Sequence, residues 1–201
     1  TNIQYFKNLL DGAISKKVKR IILISFPHVE GETTPDNPAK GKLDGHPVSS
    51  HAITRLEEEK ELFRCCEDAG IEAVSLRVGM VYGKGILMID AADWFNRHFL
   101  LGVWKQPTWI HLISKDDFLS ATTAAIEKEN ICGIYHIGDE GIQTLQEFLD
   151  EIAIYKKYRK PWRMPLWMIM TAAWVFEKFS LLFNTKSPLT RDFIKIGRVS
   201  Y

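Results

Sequence analysis

Two short apolar runs with one helix between them constrain the fold more than any other feature of this sequence. Residues 20–25 (RIILIS) form a continuous β-branched stretch between charges, which is typical of a strand buried on both faces of a parallel sheet. A helical pattern then runs from Ser49 or Ser50 to Gly70, and residues 72–78 (EAVSLRV) form a second strand. The order strand, loop, helix, strand predicts a βαβ unit.

The loop between the first strand and its helix is unusually long. Residues 28–47 are rich in glycine and proline and carry no helical or strand periodicity. Loops of this length in compact domains usually serve a function. This loop also leaves the carboxyl end of a strand, where ligands bind in sheets of this kind, so we expect a binding site there.

The remaining elements are shorter and more mixed. We predict a helix over residues 3–16, and, beyond Gly85, elements that alternate between helix and strand. These are a helix near 90–101, a strand near 109–113, a helix over 116–128, a strand over 134–137 and a helix over 144–158. The pattern indicates an α/β fold with a smaller, mixed second lobe.

The composition excludes several classes of protein. With 46% apolar and 25% charged residues, the chain is neither disordered nor fibrous. Its 26 basic and 25 acidic residues leave a net charge of +1, so we expect no nucleic-acid partner. The three cysteines lack the spacing of a metal site or a disulfide framework, so we expect no metal and a reducing, cytoplasmic location.

One segment near the end of the chain, residues 165–183, is strongly apolar. It contains Glu177 and Lys178, and its uncharged part is shorter than the roughly 20 residues that a membrane-spanning helix needs. We favour a packed or lid helix over two alternatives, a face for a partner or second subunit and an interfacial membrane contact. A homodimer therefore stays open, and membrane contact is disfavoured.

Five segments, in order along the chain, together resemble one known family. They are Asn2 with the helix after it, residues 18–25, residues 76–83 (LRVGMVYG, compare LRPxxVYG), residues 113–118 (ISKDDF) and residues 134–139 (IYHIGD, compare YNxG). This chain is similar to the extended short-chain dehydrogenase/reductases, also called NAD-dependent epimerase/dehydratases.

The resemblance implies a Rossmann-like parallel sheet and a nicotinamide cofactor. It implies that residues 1–85 are the C-terminal part of a nucleotide-binding domain. Residues 86–201 would then be mostly a substrate-binding lobe, with about 109–140 returning to the main sheet. The glycine-rich turn that holds the cofactor pyrophosphate in this family does not occur in the sequence, so the chain resembles a fragment that lacks the N-terminal half. The choice between NAD and NADP stays open.

The family's three catalytic positions all carry different residues here. The resemblance puts His51 at the position of the tyrosine base, Arg55 at that of the lysine one helical turn later, and Phe26 at that of the serine or threonine. An imidazole titrates near pH 6.5, so His51 can still transfer a proton at neutral pH. Arg55 can supply positive charge but no proton. Ser25 is our candidate for the missing hydroxyl.

Three interpretations of these positions remain open. His51 retains proton-transfer chemistry, or the site binds a ligand without that chemistry, or His51 only begins a helix while Arg55 pairs with Glu59 on the same stripe. The candidate residues are catalytic (His51, Arg55, Ser25), cofactor-binding (Asn2, Ser25, Arg55, Val78, Gly79, Val81) and substrate-binding (His28, Met80, Arg191).

The resemblance implies an NAD(P)-dependent oxidoreductase or epimerase/dehydratase-like protein. Its substrate would be a small molecule with a hydroxyl or keto group, such as a nucleotide-sugar or a sterol-like compound. The alternative is a cofactor-binding scaffold or regulatory subunit without catalysis, which the loss of all three catalytic side chains favours.

Overall fold

The computed structural model describes residues 2–183 and 190–201. The helices are α1 (Asn2–Ser15), α2 (Ser50–Ala69), α3 (Leu87–Arg97), α4 (Lys115–Glu127), α5 (Leu145–Tyr155), α6 (Leu166–Phe183) and α7 (Arg191–Gly197). The strands are β1 (Arg20–Ser25), β2 (Glu72–Val78), β3 (Met80–Tyr82), β4 (Gly102–Trp104), β5 (Trp109–Ile110), β6 (Leu112–Ser114), β7 (Gly133–Ile137), β8 (Gln143–Thr144) and β9 (Trp162–Met164). A short 3₁₀ turn, Pro27–Glu30, follows β1.

The chain forms two compact units, and neither is continuous in sequence. The first contains the described residues up to Tyr82, residues 111–140 and Tyr201. The second contains residues 83–110 and the described residues between Gly141 and Ser200.

The first unit is built on a parallel sheet. Its strand order is β1-β2-β7, with Arg20 opposite Glu72 and Val74 opposite Gly133. Strand β2 is buried from Ala73 to Val78, as expected for a strand covered by helices on both faces. Strand β1 buries Leu23 and Ser25 but leaves Ile24 exposed, so the expectation that β1 is buried on both faces is wrong. Its only neighbour in the described sheet is β2, which leaves β1 at the edge. The parallel α/β architecture predicted from the sequence is confirmed.

Two apolar clusters hold the helices on the two faces of this sheet. On one face, α1 and α2 pack through Leu10, Leu23, Leu62, Cys66 and Ala73. On the other face, α4 contributes Ala125 to a cluster with Val74, Leu76, Val78 and Ile113.

The ends of α2 follow directly from its sequence. Ser49 caps the helix, since its hydroxyl accepts a hydrogen bond from the Ala52 amide at 3.2 Å. Gly70 ends the helix in the left-handed conformation, with φ of 66°, which glycine adopts without steric cost. These caps fix where His51 lies, as the second residue of α2.

A close backbone approach explains Gly79, which joins β2 to β3. The neighbouring Met80 amide donates to the His111 carbonyl at 2.7 Å, and a Cβ on Gly79 would lie 2.6 Å from that same oxygen. Only glycine therefore lets β3 pair with β6.

The second unit has its own core. It contains Val103, Trp104, Leu149, Ile169, Ala173 and Ile194. Helix α6 occupies the apolar segment predicted to be helical, and its Ile169 and Ala173 are buried while Trp167, Trp174 and Phe179 are exposed. Among the residues that the structure describes, no helix is both long enough and apolar enough to cross a membrane.

Three predicted elements have different bounds in the structure. The helix expected near 90–101 is Leu87–Arg97, and Phe99 just after it has a positive φ of 60°. The helix expected over 144–158 ends at Tyr155, near Lys157 with φ of 57°. The strand expected over 109–113 is two strands, β5 and β6, in different units, because the His111 carbonyl between them binds Met80.

Candidate functional site

Aromatic rings gather where β1 ends and α2 begins. The Phe26 and His51 rings are stacked, with centroids 5.0 Å apart and planes 14° apart. His28, in the 3₁₀ turn, lies edge-on to Phe26 at 5.5 Å and contacts the ring of Tyr201 at 4.2 Å. The two positions that the resemblance assigns to the hydroxyl residue and the tyrosine are therefore neighbours, as a shared site requires.

Ser25 supplies a buried hydroxyl at the same strand end. Its side chain is 3% exposed, and its Oγ has no hydrogen-bond partner among the described residues. A buried polar group without a partner costs about 1–3 kcal/mol, so this hydroxyl needs a partner outside the protein, either an ordered water or a bound ligand.

The Arg55 side chain makes a different ion pair from the one expected. Its Nη1 lies 2.9 Å from the Glu58 carboxylate, three residues along α2, and Glu58 is largely buried. The expectation that Arg55 pairs with Glu59 is wrong, because Glu59 is fully buried and binds Arg77 instead. The positive charge of Arg55 is thus already balanced.

Arg77 is the most important residue at this end of the sheet that the sequence analysis missed. It is fully buried, and its Nε and Nη2 donate to the two Glu59 oxygens at 3.1 and 2.6 Å. Its Nη1 donates to Glu30, and its Nη2 also donates to the Lys42 carbonyl at 2.8 Å. The Ser75 hydroxyl donates to Glu59 at 2.9 Å. The arginine and both carboxylates are thereby hydrogen-bonded, as buried charges need to be.

Glu30 connects this cluster to residues 40 and 41, in the loop between the 3₁₀ turn and α2. Its oxygens accept hydrogen bonds from the Lys40 amide at 2.7 Å and the Gly41 amide at 2.8 Å, and its Oε1 lies 3.0 Å from His136 Nε2. Burial raises the pKa of Glu30, but the two amides, Arg77 and His136 outweigh it and lower the pKa overall.

His136 lies beside the same groups. Burial and the Arg77 charge lower the pKa of His136 against the opposing effect of Glu30. The neutral imidazole is therefore favoured next to Glu30.

The segment from Val78 to Val81 uses its main chain within the sheet. The Gly79 amide donates to the Ile137 carbonyl at 3.0 Å, and the Met80 amide donates to His111. Val78 is buried, while Met80 and Val81 are half-buried. These two amides are thus already engaged within the protein, so they are not available for the predicted cofactor or substrate contacts.

Two candidate residues belong to other elements of the chain. Asn2 begins α1, and its side chain lies outside the described part of the structure. Arg191 begins α7 in the second unit, where its Nε lies 2.7 Å from a Glu177 oxygen.

Tyr201 is a further residue that sequence reasoning did not find. Its ring contacts His28, and burial raises the pKa of its phenol. A phenol in this setting stays protonated and can donate a hydrogen bond but cannot act as a base at neutral pH.

The side chains at this strand end include hydrogen-bonding groups of the kind that bind a hydroxyl-bearing ligand such as a nicotinamide nucleotide. Within the described ranges, no group of three or more histidine, cysteine or acidic side chains is arranged to hold a metal ion. The unpaired Ser25 hydroxyl and the solvent-facing His51 suit a ligand with hydroxyl groups.

Comparisons with known proteins agree with this architecture. Residues 1–138 match the model of the "NAD dependent epimerase/dehydratase family". A UDP-glucose 4-epimerase of Vibrio cholerae is 36% identical over 191 residues, which are 92% of this chain and 56% of that protein. The chain thus spans about half the length of the relative that it matches.

Solved structures of low sequence identity share the fold. The UDP-N-acetylglucosamine 4-epimerase of Methanobrevibacter ruminantium, in complex with UDP-N-acetylmuramic acid, has a TM-score of 0.68 at 19% identity, over 81% of this chain and 55% of that one. The UDP-glucose 4-epimerase of Thermus thermophilus, in complex with NAD, has a TM-score of 0.65 at 22% identity, over 80% and 55%. From the family match and the Vibrio relative, this chain belongs to the NAD-dependent epimerase/dehydratase family.

Proposed function

We propose that this protein is an NAD- or NADP-dependent, epimerase-like oxidoreductase that acts on a hydroxyl or keto group of a nucleotide-sugar. The observation that carries the proposal is the stacked pair of Phe26 and His51, next to the unpaired Ser25 hydroxyl, in a chain of this family. The substrate class follows that of the relatives, which are named as UDP-sugar epimerases.

His51 is the proposed proton-transfer group. It is exposed at the start of α2, so its imidazole can exchange protons with solvent. Stacking on Phe26 restricts the plane of the imidazole ring, which reduces the number of orientations from which its nitrogens can reach a substrate hydroxyl. Phe26 thus stands where the family has a hydroxyl side chain, and its ring supports His51, the proposed base.

Ser25 and Arg55 are proposed to bind rather than to transfer protons. The Ser25 hydroxyl can donate to or accept from a substrate or ribose oxygen. Because Glu58 balances the charge of Arg55, the pair offers donors and acceptors without net charge, which suits ribose hydroxyls better than phosphates.

The nicotinamide, when bound, supplies the redox chemistry. Ser25, Arg55, Asn2 and the segment Val78–Val81, including Gly79, are proposed to line its site. The first unit would then hold the nucleotide, and His28, Met80 and Arg191 are the residues proposed to bind substrate. The substrate is a small molecule, and a homodimer remains a prediction.

The test uses the full-length protein. Binding of NADH and NADPH is followed by nucleotide fluorescence, and turnover is then measured with UDP-glucose and UDP-N-acetylglucosamine. We expect His51→Ala to lower kcat by about 10²- to 10⁴-fold, the range for loss of a general acid–base group. His98→Ala, which truncates an exposed histidine of the second unit, is the matched control and should leave kcat unchanged.

Two results would contradict the proposal. Turnover that survives His51→Ala would remove the proton-transfer role. Nucleotide binding without turnover on either sugar would instead favour a cofactor-binding scaffold.

A further inference from the structure

We propose that Glu30 and Arg77 are positioning residues that hold the long loop (residues 31–49) and, through it, the start of α2 that carries His51. The chemical consequence of this inference rests on the proposed function, but the loop contacts do not.

Glu30 and Arg77 bind three consecutive residues in the middle of the long loop. Glu30 accepts from the amides of Lys40 and Gly41, and Arg77 donates to the carbonyl of Lys42. A loop without regular secondary structure thus gains three main-chain hydrogen bonds to one buried ion pair, and each bond to a charged group is stronger than an ordinary one.

Arg77 also holds the helix that follows the loop. Its bidentate contact with Glu59 fixes α2 eight residues beyond His51, about 12 Å along the helix axis. One guanidinium on β2 therefore binds both segments that flank His51, the loop before it and the helix after it.

Close packing reinforces the same arrangement. A Cβ on Gly45 would lie 2.6 Å from the Glu30 Cα, so the long loop passes directly against the 3₁₀ turn. Gly31 has φ of 93°, and its Cβ position is 3.0 Å from the His46 carbonyl oxygen. The loop therefore has little room to lie elsewhere while Glu30 keeps its contacts.

Both oxygens of Glu30 are needed. Oε2 accepts from the Lys40 amide, while Oε1 accepts from Gly41 and Arg77 and contacts His136. Glutamine has one acceptor oxygen and one NH₂ group. In Glu30→Gln, the NH₂ group therefore faces either the Lys40 amide or the donors of Gly41 and Arg77, and those hydrogen bonds are lost. This substitution removes the contact without changing the size of the side chain.

The experiment measures hydrogen exchange at single amides in the full-length protein. In the unsubstituted protein, we expect the Lys40 and Gly41 amides to exchange at least about tenfold more slowly than the amide of exposed Asp36. In Glu30→Gln, at least one of the two should exchange about tenfold faster, while amides of β2 keep their protection. Glu32→Gln, an exposed carboxylate two residues away, is the matched control and should change neither.

Several outcomes would overturn the inference. Unprotected Lys40 and Gly41 amides in the unsubstituted protein would do so even if Glu30→Gln fails to fold. Equal protection in the two proteins, or an equal loss at all amides of the first unit, would also do so.

Kinetics separate the positioning role from a purely structural one. We expect Glu30→Gln to lower kcat about tenfold with little change in KM for the nicotinamide nucleotide. The reason is that the long loop leads into the start of α2 and so helps to position His51. Unchanged kcat with a released loop would refute the positioning role. If the unsubstituted protein shows no turnover, the proposed function fails, while amide exchange still decides whether Glu30 holds the loop.

Discussion

Replacing Arg77 with methionine tests the buried ion pair most directly. Arg77 and Glu59 are both fully buried, and their contact is bidentate. Methionine fills similar space but donates no hydrogen bond. Of the Arg77 and Ser75 side chains that donate to Glu59, only the Ser75 hydroxyl would then remain. Breaking a buried pair by removing one partner costs about 3–5 kcal/mol, so the free energy of unfolding of the first unit should fall by that amount.

The positions of the tryptophans provide an internal control for this measurement. All six lie in the second unit, at Trp94, Trp104, Trp109, Trp162, Trp167 and Trp174. Tryptophan fluorescence in a urea titration therefore reports on the second unit, and pulsed hydrogen exchange of β2 and β7 peptides reports on the first. Arg77→Met should shift the exchange transition to lower urea more than it shifts the fluorescence transition.

A double variant separates the cost of an unpaired charge from lost packing. Arg77→Met combined with Glu59→Met removes both charges, and replacing a buried pair with apolar side chains is often close to neutral. The double variant should therefore be more stable than the single one. A loss below about 1 kcal/mol in Arg77→Met would refute the reasoning, since Glu59 would then have to reach solvent or another partner.

Two further predictions concern glycines and pH. Gly45→Ala places a Cβ against the backbone of the 3₁₀ turn and should cost about 1–3 kcal/mol, whereas Gly12→Ala, in open space within α1, should stabilise by about 0.5–1 kcal/mol; thermal unfolding compares them. Glu30 has a lowered pKa, so its contribution to stability is complete above pH 4.5 and is lost as pH falls through its folded pKa. His136 also has a lowered pKa, so its contribution is complete above pH 6.5 and is lost as pH falls through its own folded value. Urea titrations at a series of pH values measure the free energy of unfolding, with Arg77 and Glu59 left unchanged. His136→Gln should reduce the fall in this free energy in the upper part of the pH range. Glu30→Gln should reduce it in the lower part.

The sequence predicts β1, β2 and α2 well because their signals are local. A continuous β-branched run defines β1, and a serine cap and a terminal glycine define α2. In contrast, β8 and β9 contain two and three residues, and only their pairing with distant strands makes them extended. No local pattern can predict such strands.

The site was predictable in part for the same reason. Family motifs put Phe26 and His51 at neighbouring positions, and the structure brings their rings together although they are far apart in sequence. The partner of Arg77 could not be found in this way, because an arginine in an apolar strand gives no indication of which carboxylate will neutralise it. That choice depends on how α2 packs on the sheet, which places Glu59 within reach of Arg77 and leaves Glu58 to pair with Arg55.

The discontinuous layout of the two units limits how the protein can be dissected. Strands β3 and β6 are parallel neighbours, and parallel strands cannot be joined by a tight turn. Residues 83–110, which belong to the second unit, are the connection that carries the chain back to the start of β6. A minimal version of the first unit would therefore need a replacement crossover of about a dozen residues or more in their place, and a stop after residue 140 would still remove Tyr201, which belongs to this unit. Simple truncation at either boundary would divide a folded unit instead of isolating one.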